Sequence, residues 1–314
     1  MRAVVVHSFG EPVSVTEVPV PLPRRGQVRI RVAAAALNPV DAATQAGLMS
    51  QARPGVLSPR EHTGLGWDVA GTVDQAGDGV TTFASGDAVI GLRDRLDTSV
   101  GTFAEEVVLD AGDLAAAPSG VDPVSASTIP LNGLTALQAL DALAAAGLRA
   151  GQSILVTGAA GGLGGFGIEL AAMRGLRVIG AAGDADEELV RKLGASHFIP
   201  RSSASLAAAV RDLVPGGVDA VFDAAVLGYR AMDTVRGGGV YVNFVPVDPL
   251  PIRGIRVLPV QIRADGAALA GLSSLAGDGR LALRVAGTYR LEQAAEAFLR
   301  LAKGGLRGRL VLVP

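Results

Sequence analysis

The chain has no cysteine. Disulfides are excluded, and so is any metal site that needs thiolate ligands. Lysine is almost absent: Lys192 and Lys303 are the only two among 28 basic residues, and arginine stands in their place. The arginines form no stripe and the net charge is −2, so neither a nucleic-acid footprint nor a basic membrane-surface helix is present. Histidine is limited to His7, His62 and His197, which are scattered and lack ligand spacing. His62 lies in a polar loop and is expected to be a solvated side chain. Long apolar runs are missing too. The most apolar helix-like stretch, LTALQALDALAAAGL, is broken by Gln138 and Asp141 and is shorter than a membrane span. The start, MRAVVVHSFGEP, holds a run of three valines, too short for a signal-peptide core. The expectation is a cytoplasmic protein with no membrane or nucleic-acid partner.

What is present suits a packed protein. Hydrophobic residues make up 49% and charged residues 18% of 314, enough chain for two domains. Up to about residue 117 the chain is rich in short strand-like runs: AVVVHSF, QVRIRVAAAAL, DVAGTVDQAG, DAVIGL and AEEVVL. PVPLPRRG and ARPGVLSPR read as extended or loop segments. After PSGVDPVSAS the texture changes to alternating helix and strand. A helix through LTALQALDALAAA is expected, capped by Asn132 and ended by Gly147. SILVTG, LRVIGAAG, HFIP, VDAVFDAA and GGVYVNFV read as strands, with helices between them. Such alternation predicts a parallel sheet covered by helices. LEQAAEAFLRLAKGG is an amphipathic helix and RLVLVP a closing strand.

One stretch carries chemistry: VTGAAGGLGGFG, residues 156 to 167. Gly158, Gly161, Gly162, Leu163 and Gly164 follow a strand and open a helix. A dinucleotide pyrophosphate needs that context: a tight turn, close backbone approach, and free N–H groups at a helix N-terminus. The competing role is close helix–strand packing, for which Gly167 is a candidate. The next strand ends in Ala181, Ala182 and Gly183, with no carboxylate for a ribose 2′-hydroxyl, which leaves room for a 2′-phosphate. Asp184, Asp186, Glu187 and Glu188 follow at once, as a helix cap and acidic first turn or as a ribose contact, and in either role they would repel that phosphate. Arg201 is the cation that could offset them, or an ordinary solvated arginine.

A set of motifs in fixed order resembles the quinone oxidoreductase (zeta-crystallin-like) branch of the zinc-independent medium-chain dehydrogenase/reductases. They are LNPVDA (37–42), GWDVAGTV (66–73), GDAVIG (86–91), GTFAEEVVL (101–109), NGLTALQAL (132–140), the glycine turn, LGASHFI (193–199) and GGLRGRLVLVP. The resemblance runs almost end to end. It implies an α/β architecture in which a Rossmann domain (119–249) is inserted into a β-rich GroES-like catalytic domain (1–118 plus 250–314). It also implies NADPH-dependent hydride transfer to quinones or α,β-unsaturated carbonyls, with NADH as the other possible cofactor. Family members are often homodimers that pair through the Rossmann sheet edge, near which GGVYVNFV would lie. Zinc-dependent relatives hold zinc with a Cys and a His of the first domain. At those places this chain has Asn38 and Trp67, so no zinc is expected.

By the same resemblance Asn38 lies beside the nicotinamide, where it can hydrogen-bond cofactor ribose or substrate oxygen. Its alternative is a turn-stabilising Asn before Pro39. Asp41 is either a second catalytic residue or a carboxylate that orders its loop through backbone N–H groups. Thr135 matches the family's GLT segment on the nicotinamide side. Phe244 and Val245 resemble the backbone that lies against the nicotinamide; plain sheet core is the other role for Phe244. Some relatives carry a tyrosine after LNPVD. Here AATQAGLMSQARPGVLSP has no aromatic residue, so water is the expected proton source and a roomier substrate loop is expected. Two alternatives stay open: an enoyl or alkenal reductase of polyketide or lipid metabolism, and a non-catalytic NADPH-binding protein. No nucleophile elbow is present.

Overall fold

Gln27–Leu37 organises the first half of the molecule. Val28, Ile30 and Val32 point inward while Arg29 and Arg31 point outward, the period-two pattern of a half-buried strand. Asp74 on the neighbouring strand Asp68–Ala76 pairs with both arginines, at 2.5 Å to Arg29 and 2.9 Å to Arg31. From Ala34 onward every residue of the strand is buried.

The computed structural model describes residues 1–52, 61–95, 98–245 and 249–314. Two units emerge: Met1–Leu134 with Arg263–Pro314, and Thr135–Ile262. The expected boundaries at 118/119 and 249/250 thus shift to 134/135 and 262/263. At the second boundary the cause is the strand Arg256–Pro259, which pairs in parallel with Val235–Asn243 and so belongs to the inserted sheet. Residues 53–60, which hold all of ARPGVLSPR but its first residue and the end of the roomier loop expected after LNPVD, fall outside the described residues, while the start of that loop lies in two short helices, Pro39–Gln45 and Leu48–Ala52.

The first unit is β-rich. Its larger sheet runs in the order Val285–Arg290, Arg309–Val313, Gln27–Leu37, Asp68–Ala76, Ala88–Leu92, Leu114–Ala116, and Glu106–Asp110 also pairs with Gln27–Leu37. The closing strand pairs antiparallel with the end of Gln27–Leu37, Leu310 opposite Leu37 and Leu312 opposite Ala35. Both ends of the chain therefore build one unit, and Arg309 comes level with Asn38. The core between the strands holds Val28, Ile30, Val69, Val89, Phe103 and Leu310.

The second unit is a six-stranded parallel sheet. Its strands are Ser153–Thr157, Arg177–Ala182, His197–Pro200, Val218–Asp223, Val235–Asn243 and Arg256–Pro259. Numbered in chain order, they lie 3-2-1-4-5-6, the doubly wound order, with order reversal between the first and fourth strands. GGVYVNFV lies one strand inside the edge, which is Arg256–Pro259.

Two local expectations change. The helix expected to be capped by Asn132 runs Pro130–Ala145, with Asn132 inside its first turn. A proline pre-set for helical φ starts it, and Asn132 is freed for another task. Gly147, at φ +103°, follows its end as expected. His62 is half-buried rather than solvated, and its ring stands edge-on to His7 at 6.0 Å.

Candidate functional site

The strand Gln27–Leu37 ends at Asn38, which opens the helix Pro39–Gln45. Asp41 reaches back, and its carboxylate accepts the backbone N–H of Asn38 at 2.8 Å and that of Gly66 at 3.0 Å. The Asn38 side-chain nitrogen donates to the Ala36 carbonyl at 3.1 Å and to Asp68 Oδ2 at 2.6 Å. Because that nitrogen faces two acceptors, the amide orientation is set, and Asn38 Oδ1 accepts from Asn132 Nδ2 at 3.1 Å. Asn132 Oδ1 in turn accepts from Arg309. Asp68 Oδ1 accepts the Leu131 N–H at 2.5 Å, in the positive first turn of the helix Pro130–Ala145. A continuous relay therefore runs from the Arg309 cation through two amides to the Asp68 carboxylate.

All of it is inside. Asn38, Asp41 and Asp68 are 0% exposed, Asn132 2% and Arg309 9%. Burial pushes the Asp41 carboxyl up to about 8, against its two backbone donors, and the Asp68 charge raises it further. Burial likewise pushes Asp68 up to about 7, opposed by Leu131, Asn38 and Arg309. Arg309 falls to about 10 through burial, with both carboxylates opposing that fall. Both amide hydrogens of Asn38 and both oxygens of Asp41 are thus committed within the protein. Through these bonds both side chains hold the loop between the strand and its helix. Asp68 and Arg309 were not singled out in the sequence, and Asn132 was read there only as a helix cap. The only sequence signal was a charge inside an apolar run: Asp68 between Trp67 and Val69, and Arg309 at the head of RLVLVP.

The glycine turn leaves the first strand of the parallel sheet at Thr157 and enters the helix Gly162–Met173, whose cap residue Gly161 provides no side-chain cap. Gly158 takes φ +59°, and a methyl on Gly164 would stand 2.2 Å from the Gly158 carbonyl oxygen. At Gly161 a methyl would meet only that oxygen, at 3.1 Å. The turn is therefore tight on its inner side and has space beside Gly161 at the helix N-terminus, as a pyrophosphate cradle requires. Gly167 has the packing role: a methyl there would stand 3.0 Å from the Phe222 ring.

The remaining candidates of this unit gather at the same C-terminal edge of the sheet, save Thr135, which lies buried on the helix Pro130–Ala145. Ala182 pairs with Pro200, which places Arg201 just beyond the end of its neighbour, and the Arg201 N–H donates to the Ala182 carbonyl at 2.7 Å. Gly183 leads into a short turn of 3-10 helix, Asp184–Asp186. Asp184 accepts from the Ser202 N–H at 3.2 Å, and hydrogen bonds from Ser202 together with the nearby Arg201 charge hold it below the usual carboxylate range. Glu187 pairs with Arg191 at 2.8 Å. Phe244 meets Phe222 at 4.6 Å between ring centroids, and the Asn243 side chain holds Val245 through both its N–H and its carbonyl.

The side chains at the two positions where zinc-dependent relatives hold the metal do not suit a zinc ion. The Asn38 amide is engaged as described, and the buried Trp67 indole offers no lone pair to a metal. Among the described residues no group of three or more His, Cys, Asp or Glu could hold a metal ion.

Comparison with known proteins agrees with this geometry. A family model described as "Alcohol dehydrogenase GroES-like domain" matches residues 24–119, and one described as "Zinc-binding dehydrogenase" matches residues 193–312. The chain is similar to the NADPH-dependent alkenal/one oxidoreductase, chloroplastic, of Arabidopsis thaliana: 31% identical over 304 residues, 94% of this chain and 74% of that protein. It is 32% identical over 302 residues to Erythronolide synthase EryA2 of Saccharopolyspora erythraea, a match over 92% of this chain that spans 8% of the synthase. The structure of the quinone oxidoreductase from Coxiella burnetii superposes with a TM-score of 0.87 at 26% identity, covering 100% of this chain and 99% of that one. A GroES-like unit joined to a doubly wound parallel sheet with a glycine turn defines a medium-chain dehydrogenase/reductase. Within that superfamily the chain belongs to the quinone oxidoreductase family. It is an oxidoreductase, and its relatives point to a nicotinamide cofactor.

Proposed function

We propose that the chain is an NADPH-dependent reductase that delivers a hydride to a quinone or an α,β-unsaturated carbonyl without a metal. The observation that carries this is the tight, uncapped glycine turn at the order-reversal edge of the parallel sheet. When bound, the dihydronicotinamide supplies the hydride. The protein's own residues bind, orient and exclude water. The turn from Gly158 to Gly164 and the helix N-terminus behind it take the pyrophosphate. Arg201 takes the 2′-phosphate, helped by the absence of a carboxylate at Ala182 and Gly183, while Asp184 draws part of its charge. Thr135, Phe244 and Val245 line the nicotinamide. Asn38 and Asp41 act as positioning residues through the buried relay. With no tyrosine in the loop after LNPVD, the proton comes from water. The proposal includes a homodimer formed through the edge strand Arg256–Pro259 and a cytoplasmic location.

The acceptor class is supported by what the relatives are called: a quinone oxidoreductase and an alkenal/one oxidoreductase. The test is turnover of a panel of quinones and enones, followed by dihydronicotinamide absorbance with NADPH and then NADH. Turnover with NADPH preferred is the expected result. Binding of either cofactor without turnover of any acceptor would sink the enzyme reading, and no binding at all would reduce the glycine turn to packing.

A further inference from the structure

Another buried carboxylate lies in the parallel-sheet unit. Asp223 ends the fourth strand in chain order and is 1% exposed. Its Oδ1 accepts from the Thr157 hydroxyl at 2.6 Å, and its Oδ2 accepts from the Tyr241 hydroxyl at 2.5 Å and from the Gly228 N–H at 2.9 Å. Thr157 is itself fully buried, and its oxygen accepts the Ala225 N–H at 3.0 Å. Among the described residues no lysine or arginine bonds this carboxylate; hydroxyl and amide donors converge on it instead.

Two of these donors, Ala225 and Gly228, belong to one short loop. Residues 224–228 connect the strand Val218–Asp223 to the helix Tyr229–Met232. Within the loop Val226 adopts φ +55°, a left-handed conformation that a β-branched residue avoids, and Gly228 adopts φ +61°. Val226 is half exposed, so apolar burial does not hold it there. The loop instead hangs from Asp223 by Gly228 and from Thr157 by Ala225. It also lies against the glycine turn: a methyl on Gly158 would stand 3.3 Å from the Ala224 carbonyl carbon and from the Ala225 nitrogen. Thr157 is the residue immediately before Gly158. One hydroxyl thus ties the start of the phosphate turn to the strained loop. This happens between the first and fourth strands, where sheet order reverses.

Strained backbone persists only where its surroundings over-determine it, and it concentrates at ligand sites. We infer that Asp223, with Thr157 and Tyr241, is a positioning lock for the cofactor site, holding loop 224–228 in its left-handed turn beside Gly158. The inference rests on the nicotinamide reading above. It adds three residues to that site, none of which touches the cofactor: they act by fixing the backbone that does.

The experiment combines Tyr241→Phe, Val226→Asn and the double variant in the full chain. Asparagine tolerates φ > 0, so it removes the strain the lock works against. NADPH affinity is measured by titration, and backbone hydrogen exchange of residues 224–228 is measured without cofactor. Tyr241→Phe is expected to speed exchange in the loop and to weaken NADPH binding about tenfold, equivalent to about 1.4 kcal/mol. In the Val226→Asn background the same change should cost no more than about threefold, a coupling that a purely structural tyrosine would not show. Faster exchange with unchanged affinity would overturn the inference, as would strictly additive effects on affinity. If Tyr241→Phe fails to fold, Thr157→Val removes the Ala225 acceptor and is read against the same outcomes. Wild-type protein that binds neither NADPH nor NADH would instead overturn the nicotinamide reading itself.

Discussion

Arg309 lies buried beside two fully buried carboxylates, Asp41 and Asp68, and reaches them through Asn132 and Asn38. Removing one member of a buried charge cluster leaves the others uncompensated, which costs more than the pairing itself contributes. Arg309→Met should therefore destabilise the protein by about 3–5 kcal/mol, read from urea denaturation. Asp68→Asn introduced into that variant should recover part of the loss. A pH effect belongs to the same cluster. Asp41 and Asp68 have folded values of about 8 and about 7, above their ordinary 3.8. The folded chain therefore holds protons that the unfolded chain releases, so their contribution is fully present below about pH 4 and is lost as pH rises through about 7 to 8. The melting temperature of the wild type should fall between pH 5.5 and 8.5, and that of Asp68→Asn should fall less. Equal slopes would mean that Asp68 does not carry the effect.

Glycine has two uses in the helices, and substitution separates them. At Gly164 a methyl would collide with a backbone oxygen 2.2 Å away, so the turn must open to admit it. Gly164→Ala should weaken cofactor binding at least tenfold while destabilising the fold by roughly 1–3 kcal/mol. At Gly271, inside the helix Gly266–Gly277, a methyl would meet nothing within 4 Å. Gly271→Ala should stabilise the protein by about 1 kcal/mol and leave cofactor binding unchanged. A thermal melt and one binding titration on each variant check both statements. Element identity was readable at this scale because periodicity and turn residues are local. Val28, Ile30 and Val32 alternate with Arg29 and Arg31, and HFIP coincides with the strand His197–Pro200. Asn132 was misread because an Asn before an apolar run signals a helix cap, whereas Pro130 had already begun the helix.

For the whole molecule, the open chemical choice is the cofactor. Arg201 stands beyond the strand that pairs with Ala182, and Asp184 stands close enough for its charge to be affected by Arg201. Arg201→Ala should lower NADPH affinity about tenfold and leave NADH affinity within about twofold, the loss expected for one charge-assisted phosphate contact. Equal losses for both would move Arg201 away from the 2′-phosphate. No helix among the described residues is long and apolar enough to cross a membrane.

The sequence by itself determined the parallel-sheet alternation, the glycine turn between strand and helix, and the absence of thiolate ligands. Each depends on residues close together in the chain or on composition alone. Only the tertiary structure decided that Asn132 meets Asn38 across 94 residues and that Arg309 meets Asn132 across 177. It likewise decided that Tyr241 and Thr157 share the carboxylate of Asp223. A charge in an apolar strand reads the same whether it faces water or a buried partner. The register that settles it, Leu310 opposite Leu37, comes from packing between the two ends of the chain.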